Sequence, residues 1–354
     1  MKVHIVCYED PALWICGKIA HRLMESLLAL GYQCTLGRAV HAASDINHHV
    51  LYLGYPGHAA GTHTLMVSHV DDVLKLRKLQ LGLNTAKAAI CMSSETVKSL
   101  ASLGIDQSKL SYVNLAHDGK ARERRFQIGI ATRLYPDGRK READFLRLLK
   151  LISPADFAFR IMGFGWADIV AQARAAEFEI EYFQDFNYES YIEMISRLDY
   201  LLYLGEDEGS VSFIDALAAG VGTIVRPQGH HIDAREGITY SFNNFEELQA
   251  AFARIASVKH HRIHAVKSWT WENYARAHAT LWERCLSGKA AVETPILSPN
   301  PPSHRGLTAR RWKLVQNAFA RRLRMILNVR KDFQCGSRLW NRRKKNLSTG
   351  SSPP

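Results

Sequence analysis

Residues 205–220 read "GEDEGSVSFIDALAAG". Three acids, Glu206, Asp207 and Glu208, stand before Gly209 and Ser210, and the apolar run that follows holds a single acid, Asp215. That run is too apolar and too rich in small residues for a solvent-facing helix, so a carboxylate inside it needs a partner. A helix that begins near Ser210 leaves the backbone N–H groups of about 209–212 unpaired at its mouth, and such a mouth favours anions. Asp207 or Glu208 lies just before the helix, and Asp215 lies about two turns further on, on the same face. Two carboxylates flanking a phosphate-favouring helix start suit a nucleotide sugar. One acid accepts from sugar hydroxyls, the N–H groups take the pyrophosphate, and the second acid accepts from the ribose. The competing reading is a charged turn followed by a solvent-facing aspartate. It fits poorly with the apolar character of 211–221 and with the tight turn that ends the next strand, "GTIVRPQG".

The strand before this stretch, 199–204, places the helix mouth at a strand's C-terminal end, where open parallel sheets bind ligands. The same alternation runs through the chain. Apolar strands at 2–8, 48–55, 63–68 and 86–93 alternate with helical patterns at 14–31, 72–82 and 94–104. It restarts after "DGKARERR" (118–125), with strands at 126–131, 157–162, 178–186, 199–204 and 221–229. Short apolar strands alternating with helices predict parallel sheets covered on both faces. The fold class expected is therefore α/β, with two Rossmann-like domains in series, 1–123 and 124–268. The aromatic-rich helix "WTWENYARAHATLWERCL" is expected to cross back to the first domain (269–287), ahead of a linker and basic tail (288–354).

A chain of 354 residues, 47% hydrophobic and 23% charged, is globular and has room for two domains. Its net charge of +12 is a property of the tail. From Lys289 onward there are 15 Lys/Arg and 2 Asp/Glu, whereas the first 288 residues carry 31 basic against 32 acidic residues, a net of −1. Whole-chain basicity is thus no argument for nucleic acid, and no nucleic-acid module is recognisable. In the tail, Trp312, Val315, Phe319, Leu323, Ile326 and Leu327 recur at helical spacing among arginines. Three readings compete for 307–332: an anionic membrane surface, a nucleic-acid backbone and the protein's own surface. There is no run of about 18 apolar residues to span a bilayer. The start, "MKVHIVCYED", reaches acids too soon for a signal peptide, and the six cysteines are scattered with no CxxC pair. A reducing cytoplasmic location, peripheral on the inner face of the membrane, is the expectation.

Four further segments carry candidate chemistry. In "IGIATRLYPDGRKRE" (128–142), Arg133, Arg139 and Lys140 stand on a loop at a strand's C-terminal end, where cations can clamp a pyrophosphate. "MGFGW" (162–166) is a glycine turn after a strand and includes Gly163; Asp185 and Phe186 follow the next strand. "VSHVDD" (67–72) places His69 after an apolar strand, with Asp71 and Asp72 beside it. "CGKIA" (16–20) puts Gly17 and Lys18 at the first helix. There is no HExxH, and only "HVDD" and "HHID" (230–233) imitate a metal site.

The segment "LDYLLYLGEDEGSVSFIDALAAGVGTIVRPQG" resembles the signature of retaining glycosyltransferases of the GT-B fold, family-4 type. That family carries a Glu, seven intervening residues and a second Glu, then Ala-small-Ala-small-Gly and a strand. Here the seven-residue spacing joins Asp207 to Asp215, while Glu208 beside Gly209 matches the family's Glu-Gly pair. The resemblance covers about 1–286 and is strongest at 126–230. It implies two domains facing a cleft and a metal-independent enzyme with no cofactor beyond the nucleoside-diphosphate-sugar donor. It implies Glu208 at the donor sugar and Asp215 at the ribose, with Asp207 as the competing sugar ligand. Gly209, Ser210 and Val211 fall at the diphosphate, with Arg133 and Lys140 as its ligands and Arg139 as a substitute for Lys140. Gly163 lines the nucleotide pocket, and Asp185 and Phe186 lie near the base. His69 contacts the sugar near the reacting carbon, and Gly17 approaches the diphosphate. The activity implied is transfer of a hexose-type sugar to a glycan or lipid-linked acceptor in cell-envelope polysaccharide synthesis, with His69 and Glu208 as catalytic residues. Two other readings are a catalytically silent membrane-associated scaffold and a nucleotide-sugar epimerase on the same fold.

Overall fold

The computed structural model describes residues 1–58 and 60–291. The described chain divides into two units, one made of 1–119 and 268–291, the other of Lys120–Lys267.

The first unit contains β1 (Lys2–Val6), α1 (Ile15–Ala29), β2 (Gln33–Gly37), β3 (Ile46–His49), β4 (His63–Val67), α2 (Val73–Gly82), β5 (Ala88–Cys91), α3 (Ser94–Ser102) and β6 (Leu110–Tyr112). Its six strands are parallel in the order β2-β1-β3-β4-β5-β6, so the order reverses between β1 and β3. The expected strand at 48–55 lies earlier. Pairing runs over Ile46–His49, and Tyr52–Gly54 forms a 3₁₀ turn. Polar residues enter this buried strand because each has a hydrogen-bond partner on a neighbouring segment. Asn47 exchanges hydrogen bonds with the His41 backbone, His48 meets Thr64 Oγ1 at 2.9 Å, and His49 meets His63 at 3.1 Å. Side-chain caps start two helices: Asp72 accepts from the Lys75 amide, and Ser93 from that of Thr96.

The second unit contains β7 (Phe126–Ala131), α4 (Glu142–Leu149), β8 (Phe157–Met162), α5 (Ala167–Ala175), β9 (Glu179–Phe183), α6 (Tyr188–Ser196), β10 (Tyr200–Tyr203), α7 (Val211–Ala218), β11 (Gly222–Val225), α8 (His230–Asp233), β12 (Tyr240–Ser241) and α9 (Phe245–Ala265). The order is β12-β11-β10-β7-β8-β9, again all parallel, with the reversal between β7 and β10. Both units are thus Rossmann-like doubly wound sheets, and each has its ligand crevice expected at its reversal. The β8 stretch "FAFRIM" is apolar on both sides apart from the half-buried Arg160, because helices cover both faces of the sheet. On one face Phe145, Phe159 and Trp166 pack edge to face, each fully buried. On the other Leu201, Phe213 and Ala216 are fully buried beside Tyr191 and Met194. Full burial of such a side chain contributes about 1.5–3 kcal/mol.

After α9 the chain returns to the first unit as α10 (Trp271–Leu286), which packs on α1. Thr270 caps it through the Asn273 amide, and the fully buried Trp282 donates its indole N–H to Thr64 Oγ1 at 3.0 Å. No helix among the described residues is long and apolar enough to cross a membrane. The amphipathic segment 307–332 lies outside the described residues, as does nearly all of the linker and tail.

Candidate functional site

A cavity of about 630 Å³ opens at the C-terminal edge of the second sheet, on the reversal between β7 and β10. Each neighbouring strand delivers a piece of its wall. Thr132 and Arg133 follow β7, Gly163 and Phe164 follow β8, and Gln184, Asp185 and Phe186 follow β9. Tyr188 and Tyr191 come from α6, and Ser210, Val211, Ser212 and Asp215 from the start of α7. Gly163 has φ +141°, and a Cβ there would sit 2.2 Å from the Thr132 carbonyl oxygen. Only glycine lets the β8 turn pass this close to the end of β7.

At the mouth of α7 the expectation of four unpaired amides is corrected. The Gly209 N–H donates to Asp207 Oδ1 (3.1 Å) and the Ser210 N–H to His231 Nε2 (3.0 Å). His231 is fully buried, and since its Nε2 accepts, its Nδ1 carries the proton and donates to the Arg226 carbonyl (2.9 Å). Burial holds the imidazole below its ordinary pKa, against the opposing pull of that carbonyl. No hydrogen bond among the described residues engages the amides of Val211 and Ser212, which remain as the helix-terminal donors. The Ser210 and Ser212 hydroxyls pair at 2.5 Å beside them.

The acids of 206–215 have separate fates. Glu206 is ion-paired to Arg141 and, at 2.7 Å, to Arg226. Asp207 receives Lys140 Nζ (2.5 Å) and the Tyr203 hydroxyl (2.5 Å). Burial opposes its charge, but the hydrogen bonds from Lys140, Tyr203 and the Gly209 amide outweigh burial and hold the carboxyl below its ordinary pKa. Glu208 is exposed, and among the described residues its carboxylate has no partner. Asp215 accepts the Tyr191 hydroxyl at 2.6 Å. Burial, reinforced by that carboxylate, raises the Tyr191 pKa, so the phenol stays a donor.

Of the three cations expected at the diphosphate, only Arg133 lines the cavity. Lys140 is turned to Asp207 and Tyr203, with its side chain 10% exposed. Arg139 lies 3.8 Å over the Tyr135 ring and pairs loosely with Asp137 (3.6 Å), while Arg133 stands 4.8 Å from the centre of the same ring. Tyr135 is therefore a shared platform for two guanidinium groups, which orients Arg133 without neutralising it.

In the first unit, a Cβ on Gly17 would fall 2.6 Å from the Asp10 carbonyl, so this position lets α1 press against the loop after β1. Lys18 is ion-paired to Asp118 (2.5 Å), whose second oxygen accepts the Trp271 indole N–H (2.7 Å). His69 is exposed at the C-terminal end of β4. Its Nε2 accepts from Lys75 Nζ (2.7 Å), leaving the proton on Nδ1 to donate to Ser68 Oγ (3.0 Å). Lys75 is itself held by Asp71 at 2.7 Å, and Asp72 serves as the cap of α2. Among the described residues there is no group of three or more His, Cys, Asp or Glu placed to hold a metal ion.

No protein-family model and no curated protein matches the chain. Similar folds occur among solved structures. The glycosyltransferase AviGT4, involved in avilamycin A biosynthesis, is 13% identical over 81% of this chain and 98% of its own, with a TM-score of 0.32. The lipopolysaccharide outer core galactosyltransferase WaaB is 12% identical over 81% and 99%, with a TM-score of 0.33. Anabaena HepE, solved with UDP and glucose, is 11% identical over 81% and 98%, with a TM-score of 0.30. Identities this low and superpositions this loose carry no residue role from those proteins to this one.

Several residues that shape the cavity had no distinguishing signal in the sequence. Tyr191 sits at a helical position that reads as core, yet it fixes Asp215. His231 belongs to "HHID", which imitates a metal site but supplies an acceptor to α7. Tyr203 and Tyr135, each in a segment singled out for its charges, turn out to hold those charges in place.

Proposed function

We propose that the chain is a glycosyltransferase that moves a sugar from a nucleoside-diphosphate sugar to a glycan or glycolipid acceptor. In this reading it is a retaining enzyme of the GT-B class, with the donor in the second unit. The observation that carries it is the composition of one cavity wall. Two unengaged helix-terminal amides, Arg133, and the Asp215 carboxylate fixed by Tyr191 stand together at the strand-order reversal. Amides and guanidinium suit a diphosphate, and a fixed carboxylate suits the ribose hydroxyls.

The two competing acids separate by their surroundings. Asp207 is committed to Lys140 and Tyr203, which supports Glu208, exposed and without a partner, as the ligand of the donor sugar. Lys140 then acts through Asp207, by keeping the 206–210 loop in place, and Arg133 is the cation that neutralises the departing diphosphate. Catalysis in this reading is alignment plus electrostatic stabilisation of that leaving group. His69, held in one tautomer by Lys75 and Ser68, presents no N–H of Nε2 to a ligand until Lys75 moves. Its proposed role at the sugar, like that of Gly17 at the diphosphate, belongs to the first unit. Membrane contact through 307–332 and a cytoplasmic location complete the proposal.

The test is donor binding and slow donor hydrolysis by the purified full chain across a panel of nucleoside-diphosphate sugars. Asp215→Ala should weaken binding of the responding donor about tenfold, the scale of one charge-assisted hydrogen-bond pair. A panel in which nothing binds or is hydrolysed removes the transferase reading. Undiminished affinity in Asp215→Ala removes the ribose assignment.

A further inference from the structure

The base of the donor is the next question, and it rests on the nucleotide reading above. The cavity crosses the strand edges from α7, after β10, past β7 and β8 to the bend after β9. Three strand spacings of about 4.8 Å make this a span of about 14 Å. With the diphosphate at the α7 amides and the ribose at Asp215, the base falls at the β9 end. That end consists of Gln184 and Asp185 in the bend, beside Phe164 and Phe186. Among the described residues no hydrogen bond or ion pair engages either the Gln184 amide or the Asp185 carboxylate, although neighbouring charges such as Arg160 and Glu181 are paired. Phe164 is 61% and Phe186 68% exposed, leaving apolar ring surface uncovered beside these two polar groups.

We propose that this end reads guanine, so that the donor is a guanosine-diphosphate sugar. An ionised carboxylate is acceptor-only, with two oxygens side by side. Guanine matches it with two adjacent donors, N1–H and the N2 amino group. The other bases do not. Uracil offers one N–H between two carbonyl oxygens, adenine sets a bare ring nitrogen next to its amino group, and cytosine does the same. Each would bring an acceptor against the carboxylate. The Gln184 amide nitrogen supplies a donor for guanine O6, and the exposed phenylalanine rings give the flat purine an apolar surface.

The test uses GDP, UDP, ADP and xanthosine diphosphate with the full chain, read by thermal stabilisation and titration calorimetry. GDP should bind at least tenfold tighter than UDP or ADP, as for charge-assisted hydrogen bonds made by only one base. Asp185→Asn should lose at least tenfold in GDP affinity and gain affinity for xanthosine diphosphate, whose O2 accepts from the new amide. Because Asp185 is exposed, the variant should melt at the temperature of the parent. UDP or ADP binding as tightly as GDP, or GDP affinity unchanged in Asp185→Asn, overturns the guanine assignment and leaves the nucleotide site standing. Failure of all four diphosphates to bind overturns both.

Discussion

Gly163 shows how much of the site depends on single backbone positions. Its amide donates to the Phe183 carbonyl and its own carbonyl accepts the Tyr182 hydroxyl at 3.2 Å, so the turn is tied to β9. The Thr132 carbonyl it approaches is pinned from the other side by the Trp166 indole N–H at 2.7 Å. Neither partner can retreat, so Gly163→Ala meets both a positive φ and a backbone overlap. The expected cost is about 1–3 kcal/mol from the φ alone, with the overlap adding to it. Calorimetric melting should show a drop of several degrees together with loss of nucleotide binding; an unchanged melting temperature would contradict this description of the turn. In the sequence Gly163 is only a lone glycine turn after an apolar strand, a weak signal, and the close approach to Thr132 that it permits shows only in three dimensions. Tyr191 was not legible at all, because a tyrosine among apolar neighbours on a helix has the same pattern whether its hydroxyl is used or idle. Asp215 announced that it needed a partner without saying which.

The β10–α7 loop is the element on which the proposed chemistry turns, and one lysine from another loop braces it. Lys140 reaches Asp207 and Tyr203, and Asp207 in turn holds the Gly209 amide. Lys140→Met should therefore cost stability even if Lys140 never touches a ligand. Breaking a fully buried pair costs about 3–5 kcal/mol, and the partial exposure of Asp207 (26%) reduces the expectation to about 1–3 kcal/mol. Asp207→Asn in the same background should recover part of that loss. Additive single-variant effects in denaturant titrations would mean that the pair is not coupled. At this scale the alternation of strands and helices was legible, because strands buried on both faces leave continuous apolar runs. The β3 boundaries are hard to read because "INHH" hides a buried strand behind polar letters, each with a hydrogen-bond partner outside the strand that the local pattern does not display. The 21-residue α9 gives little signal in the sequence, its apolar positions Leu248, Phe252 and Ile255 diluted by basic and histidine residues toward its end. The committed state of Lys140 was equally hidden, since Asp207 lies 67 positions away in sequence.

Across the whole molecule, histidine is distributed unevenly in a way that divides the two units under acid. His4, His48, His49, His63 and His278 are buried in the first unit, whereas among the described residues His231 is the buried histidine of the second. Burial lowers all of these pKa values, that of His49 to about 3 and that of His278 to about 4, with neighbouring imidazoles adding to the effect at His49. Each folded value lies below the unfolded value of about 6.5, so above pH 6.5 both states are neutral and the stability is fully present. As pH falls below 6.5 the unfolded chain takes up protons that the folded unit refuses, and stability declines toward the folded pKa. The slope is about 1.4 kcal/mol per pH unit for each such group. His49 and His278 keep this slope down to about pH 4, whereas ordinary carboxylates, with values of about 3.9 to 4.3, take up protons mainly below about pH 5. The first unit, where α10 packs His278 on the His48 ring and bonds Trp282 to Thr64, should therefore melt before the second as pH is lowered from 7 to 4.5. Calorimetry should resolve one transition moving down steeply and another moving little. Hydrogen exchange should place the early loss of protection in β3, β4 and α10. His278→Phe should flatten the pH dependence by about one group, and two transitions that shift in parallel would refute the assignment to buried histidines.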